Sequence, residues 1–321
     1  MLSVFVPRGS ALERVPLEAG IAPPEDAVWI DLVTPTLQED KLVESLLGIA
    51  VPTREEMQEI EVSSRLYVES HARYMTATLM CHSDTAVPKT TPVTFILSGH
   101  RLCTVRYDEP RPFAIVEHKL ARNHIHPKIS GDIVLRDLLD AVIDRSADIL
   151  ERVGAEIDQI SRSIFEPDQE PAYNQVLQAL GRKGDLTSKA RESLVSVGRL
   201  LAFLSHEAGH MKWPKDAHAQ LQSMQRDVIS LTDHASYLSN KITFLLDAML
   251  GVVNIQQNAI IKIFSVAAVV FMPPTLIASI YGMNFKHMPE LDWPVGYPIA
   301  ILIMILAAVL PYVYFKWRKW L

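Results

Sequence analysis

The chain has only two cysteines, Cys81 and Cys103, and they are not spaced as CxxC. That excludes a disulfide framework and a CxxC metal or redox motif. A sheet could bring the two together, but buried free thiols in a reducing cytoplasm are the simpler reading. No Walker A loop, G-x-G-x-x-G or G-x-S-x-G is present, so a nucleotide site and a serine nucleophile are not expected. No basic run precedes the C-terminal tail and the formal net charge is −6, which argues against a nucleic-acid partner. The opening stretch, MLSVFVPRGSALERVPLEAG, has too short an apolar run and too early an acid for a cleaved signal peptide. No internal repeat or low-complexity tract is visible. The most informative lack is of charge: residues 263–285 and 293–315 contain none. Each run is about 23 residues, enough helix to cross a hydrocarbon core of roughly 30 Å.

Elsewhere charge is plentiful. Hydrophobic residues make up 49% of the chain and charged ones 21%, as expected for a soluble domain fused to a small membrane part. Residues 2–6, 27–33, 74–81, 92–98 and 101–107 are predicted strands from their β-branched and aromatic content, and Ser98-Gly99-His100 predicts a hairpin. Residues 38–47 and 54–61 are predicted short helices, with Thr53 and Glu56 placed for a capping box. This makes residues 1–130 an α/β domain.

From residue 131 the pattern turns helical. Apolar residues at 135, 138, 139, 142, 149, 150, 153, 157, 160 and 164 trace one stripe, which Glu166-Pro167-Asp168 ends. A second helix is expected over 171–206, weakened by Gly181 and Gly184, and Trp213-Pro214 is the next break. Residues 216–281 then predict one helix of about 66 residues, roughly 100 Å long. Residues 131–262 thus form a helical bundle and stalk, and 263–321 a membrane domain. Its spans are 263–281 and 293–315, with an outer loop at 282–292 and a basic tail at 316–321. Lys241, Lys262, Lys316, Arg318 and Lys319 flank the spans, against Lys286 alone in the loop. Positive-inside bias then puts both termini in the cytoplasm. Trp293, Tyr297, Tyr312, Tyr314, Trp317 and Trp320 fall where aromatic belts form against lipid.

The first span has an unusual face. Steps of three and four give Gly251, Asn254, Asn258, Ile261, Ser265, Ala268, Met272, Thr275, Ser279 and Gly282, nearly all small or polar. Such a face suits either a tight helix–helix seam or a pore lined by several copies. Its end is Tyr281-Gly282-Met283-Asn284, followed by Met288-Pro289-Glu290-Leu291. This pairing resembles the signature of the CorA family of magnesium transport proteins, and residues 254–321 resemble its two-span membrane hairpin.

The resemblance implies a funnel-shaped homopentamer, with an α/β cytoplasmic domain, a long helical stalk and two C-terminal spans, the first lining the axis. It implies Mg2+ influx, with Co2+ and Ni2+ also carried, across a bacterial inner membrane. Asn284 is assigned to a selectivity ring, with Tyr281, Gly282 and Met283 beside it. Asn258, Ile261, Phe264, Met272 and Thr275 fall along the pore. The family commonly carries Met and Leu at the first two constrictions, so Ile261 and Phe264 give a gate of different shape. Glu290 and Asp292 outside, and Asp247 below the membrane, would concentrate cations. Mg2+ is then both cargo and regulator, sensed by cytoplasmic carboxylates, with no organic cofactor and no enzymatic activity expected. A zinc transporter of the same superfamily is the alternative, although its members vary the middle of the triplet and Met283 is intact here.

One motif points elsewhere. His206-Glu207-Ala208-Gly209-His210 satisfies the H-E-x-x-H pattern of zinc peptidases, with Glu207 as base and His218 as a third ligand. A membrane-anchored metal-dependent hydrolase is therefore a second class of reading, and a membrane-tethered scaffold a third. Gly209 and the break at Trp213-Pro214 weaken the helix this motif needs, and the solvated end of a helix is the simpler account.

Overall fold

The computed structural model describes residues 1–9, 11–15, 23–85, 87–122, 129–166, 173–284, 288–318 and 320, with Leu291 described by its backbone alone. The chain divides into two compact units, Met1–Leu245 and Leu246–Leu321.

The first unit is built on a seven-stranded sheet. Its strands are β1 (Leu2–Arg8), β2 (Ala11–Val15), β3 (Trp29–Val33), β4 (Leu66–Glu69), β5 (Ala72–Cys81), β6 (Lys89–Ser98) and β7 (Arg101–Arg106). The order is β2-β1-β3-β7-β6-β5-β4, and every pair is antiparallel except β3 with β7. The five expected strands are present; β2 and β4 are additional edge strands. Gly99, at φ 59°, supplies the left-handed conformation that the tight β6–β7 hairpin requires.

Alternation along the strands sorts the core into two faces. Val4, Val6, Ile30, Leu32, Ile96, Cys103 and Val105 pack with Val43 and Met57 from α1 (Leu37–Leu47) and α2 (Arg54–Gln58). On the other face Phe5 stacks on Trp29 at 4.3 Å, and Phe95 stacks on Phe113 of α4 (Arg111–Arg122) at 6.2 Å. Helix α2 carries the expected capping box between Thr53 and Glu56, and Thr36 with Glu39 forms another on α1. The helix expected over 54–61 stops short. Glu59 turns extended and Ile60 points to solvent at 85% exposure, before α3 (Val62–Arg65).

Cys81 and Cys103 are both buried and free. They lie on β5 and β7, with β6 between, so they do not face each other. Burial pushes the Cys81 thiol up to about 12 and raises that of Cys103 as well, so both are inert.

Two long helices complete the unit with the start of a third. Helix α5 (Gly131–Phe165) buries most of the expected stripe, from Leu135 to Ile164, with Ile160 half-buried. Its first residue has to be glycine. A β-carbon there would lie 2.4 Å from the Leu102 amide nitrogen, while the Gly131 amide donates to the His100 carbonyl at 2.7 Å. Pro167, Asp168 and Pro171 lie outside the described residues. Helix α6 (Tyr173–His210) runs unbroken through Gly181 and Gly184, because burial of Leu180, Leu186, Leu194, Leu200 and Leu204 outweighs their low propensity. Lys212, at φ 56°, marks its end, and α7 (Lys215–Tyr281) begins after Pro214.

The second unit holds the rest of α7, a 3-10 turn at Pro289–Asp292 and α8 (Gly296–Trp317). Both α7 and α8 are long and apolar enough to cross a membrane. Met249 and Val266 are its buried apolar residues among those described, and α8 buries none. The charged residues Lys286 and Lys319 lie outside the described residues.

Candidate functional site

At 100° per residue, Asp247, Asn258, Ile261, Phe264, Met272 and Thr275 fall within a sector of about 120° on α7. All six are exposed in the single chain. Among the described residues, then, no other part of the chain buries these six side chains.

Two details of this helix were not read from the sequence. Pro273 and Pro274 lie inside α7, and neither has an amide hydrogen, so the carbonyls of Val269 and Val270 lack their intrahelical donors. The Thr275 hydroxyl donates to the Phe271 carbonyl at 2.7 Å. Its one proton is thereby committed, and the oxygen lone pairs are what remain to offer along the helix.

The helix closes tightly at its C-terminal end. The Gly282 amide donates to the Ala278 carbonyl at 2.9 Å, and the Met283 amide to that of Ile280 at 3.2 Å. Tyr281 is the last helical residue, and Gly282, Met283 and Asn284 follow, all exposed. Asn284 thus stands just past the turn, with a neutral amide whose oxygen can accept. Glu290 and Asp292 are exposed on the 3-10 turn a few residues on.

The H-E-x-x-H residues also come together, on the last turn of α6. His206 and His210 have ring centroids 5.2 Å apart, and the His206 Nδ1 lies 3.2 Å from the Glu207 Oε1. Arg73 on β5 donates from Nε to the other Glu207 oxygen at 3.3 Å. A hydrolase needs its glutamate free to take a proton from metal-bound water; here a guanidinium holds it. His218 is not part of the cluster.

Residues 24–317 match the family described as CorA-like Mg2+ transporter protein. The chain belongs to this family, whose members are transporters. It is 38% identical over 321 residues to the magnesium transport protein CorA of Escherichia coli (strain K12), with both chains covered completely. The CorA of Salmonella typhimurium (strain LT2) is 37% identical over the same span, again covering all of both chains. Among solved structures, the CorA magnesium transporter from Methanocaldococcus jannaschii superposes with a TM-score of 0.77 at 18% identity, covering 100% of this chain and 99% of that one. The full-length CmaX protein gives 0.73 at 14% identity, covering 100% and 98%. These two likenesses establish the fold: an α/β unit, a long helix and two C-terminal apolar helices.

Proposed function

We propose that this chain is a subunit of a homopentameric channel that passes Mg2+ down its electrochemical gradient, with the exposed face of α7 lining the pore. The observation that carries the reading is the position of Gly282-Met283-Asn284, directly after the last residue of a helix whose preceding turns are uncharged. Two spans per chain cannot enclose a pore, so several copies are required. The magnesium transport named for the Escherichia coli and Salmonella relatives supports the choice of ion.

Chemistry supports it too. Mg2+ gives up its waters reluctantly, and a central carboxylate would hold it too long for conduction. A ring of Asn284 amide oxygens can instead accept hydrogen bonds from the ion's water shell, selecting size and charge without full dehydration. Thr275 fits the same role deeper in, because its proton is donated to the Phe271 carbonyl and its lone pairs remain to accept. Asn258 offers another amide. Ile261, Phe264 and Met272 form apolar constrictions that close by dewetting. Rings of Glu290, Asp292 and Asp247 raise the local divalent concentration. A divalent ion crossing 100 mV gains about 4.6 kcal/mol, so no ATP is needed.

Co2+ and Ni2+ belong to the same reading as further cargo, as does a bacterial inner-membrane location with both termini in the cytoplasm. Mg2+ bound by carboxylates of the first unit regulates the pore by stabilising one of its states. The chain is a transporter subunit rather than a hydrolase.

The test is initial Mg2+ flux in proteoliposomes at matched oligomer content. A hydrogen bond to a charged partner is worth roughly 1.5–3 kcal/mol, so Asn284→Ala is expected to lower flux by about tenfold or more. Asn284→Asp keeps the size, adds a charge per chain and is expected to alter selectivity and slow release. Thr275→Ala loses a neutral partner that water replaces, and flux falls only a few-fold. Wild-type flux and selectivity in both Asn284 variants would sink the assignment.

A further inference from the structure

The conduction reading makes no use of His206, Glu207 and His210, yet their ligand atoms lie within 4.8 Å of one another. We propose that the last turn of α6 is a binding site for a borderline transition-metal ion (Zn2+, Ni2+ or Co2+), held by the His206 and His210 imidazoles and the Glu207 carboxylate.

The geometry comes from the helix itself. Residues four apart share a face, so the two imidazoles project side by side. Zinc takes nitrogen at about 2.0–2.1 Å and carboxylate oxygen at about 2.0–2.2 Å in a tetrahedron, which sets ligand atoms roughly 3.3–3.5 Å apart. Closing from 4.8 Å to that spacing asks for about an ångström or more. Rotation of the imidazoles supplies it, since the His206 side chain is 73% exposed and His210 is also exposed.

Glu207 is the opposite case, with its side chain only 10% exposed and already oriented. Arg73 occupies Oε2 at 3.3 Å, leaving Oε1 turned toward His206. A ligand carboxylate whose second oxygen is satisfied by an outer partner is the arrangement that well-ordered metal sites use. The helix C-terminus adds a favourable negative pole for a cation. The exposed side stays open for water as a fourth ligand. Among the described residues no further His, Cys, Asp or Glu joins the three.

The donor set also names the ion. Two imidazoles and one carboxylate suit Zn2+, Ni2+ and Co2+, whereas Mg2+ prefers an octahedron of oxygens. The site therefore distinguishes transition metals from the ion proposed for the pore. Occupancy would tie the end of α6, through Glu207 and Arg73, to the start of β5 as one corner of the first unit.

The experiment uses metal-free, full-length protein in detergent. Zn2+ is titrated by calorimetry in millimolar Mg2+, which occupies the oxygen-donor sites, and Co2+ by visible absorption. Wild type is expected to bind one more Zn2+ per chain than His206→Gln/His210→Gln, and to show Co2+ bands of a nitrogen-ligated four-coordinate ion that the double variant lacks. Glu207→Gln is expected to weaken Zn2+ by at least about tenfold. Both histidines are exposed, so the double variant keeps its fold and melts as wild type does. Equal Zn2+ stoichiometry and affinity in wild type and double variant, or displacement of the ion by millimolar Mg2+, overturns the proposal.

Discussion

In residues 1–245 most large apolar side chains turn inward, while in residues 246–321 most of those described turn outward. Trp29, Phe95 and Leu102 are at most 1% exposed, whereas Phe264, Leu302 and Tyr297 are 70%, 57% and 78% exposed. The two sets have similar chemistry and answer to different solvents. In water, buried apolar area stabilises a unit from within a single chain. In hydrocarbon that drive is absent, and shape and hydrogen bonding between helices take over. A unit that leaves most of its apolar side chains uncovered draws little of its stability from burial within its own chain.

The largest expected break in this contrast is at Asp31. Its carboxylate receives three hydrogen bonds from Arg106, at 2.8, 3.2 and 3.2 Å, and one from the Thr104 hydroxyl at 2.6 Å. The two side chains are 5% and 11% exposed. Asp31→Ala leaves a buried guanidinium without its partner, so unfolding of the first unit is expected to become easier by about 3–5 kcal/mol. Chemical melts followed by near-ultraviolet dichroism measure it, and a loss below about 1 kcal/mol would refute the assigned weight of the pair.

A matched pair of leucines sharpens the comparison. Leu79→Ala, at 1% exposure on β5, is expected to cost about 2–5 kcal/mol. Leu302→Ala, at 57% exposure on α8, is expected to leave the melting of the first unit within about 0.5 kcal/mol of wild type. Equal losses from the two would mean that the second unit supports the first.

The smallest effect concerns pH. Hydrogen bonding from Arg152, with the charge of Arg145 beside it, holds the Asp84 carboxyl below the usual carboxylate range. A depressed folded value contributes stability above the unfolded pKa of about 3.9 and loses it as pH falls through the folded value. Asp84 is 39% exposed, so screening limits the contribution to roughly 1 kcal/mol or less. Asp84→Asn should destabilise slightly at pH 7 and flatten the acid loss below about pH 4. Urea midpoints at several pH values decide it, and an unchanged acid slope counts against the role.

Legibility from sequence followed the same divide. Strands β1, β3, β5, β6 and β7 were readable because buried strands need β-branched and aromatic residues. The short edge strands β2 and β4 were not, since ALERV and LYVE carry the charge and polarity that edges tolerate. Helix α4 was missed although Phe113, Val116 and Leu120 stand at helical spacing, because proline and charged residues mask so short a stripe. The Thr53 capping box was local and therefore visible. The Arg73–Glu207 pair spans 134 residues, and no local pattern could announce it. Around Asn284 the residues themselves were legible, as a motif after an uncharged span. The hydroxyl bond of Thr275 and the freed carbonyls before Pro273 and Pro274 depend on the helix continuing past two prolines, which propensity argues against.

Among the described strands the one parallel pairing, β3 with β7, joins segments that are synthesised at different times. The Trp29 indole donates to the Thr104 hydroxyl across 75 residues of chain. At about 5–20 residues per second, β3 leaves the ribosome roughly 4–15 seconds before its neighbour is made. Until then the β3 edge, which β7 pairs in the finished sheet, has no partner strand to meet, while β2 stays an edge throughout. Once β7 emerges the halves of the sheet can join, long before either charge-free run is synthesised. The order of translation thus completes the strands of the sheet before either charge-free run is made.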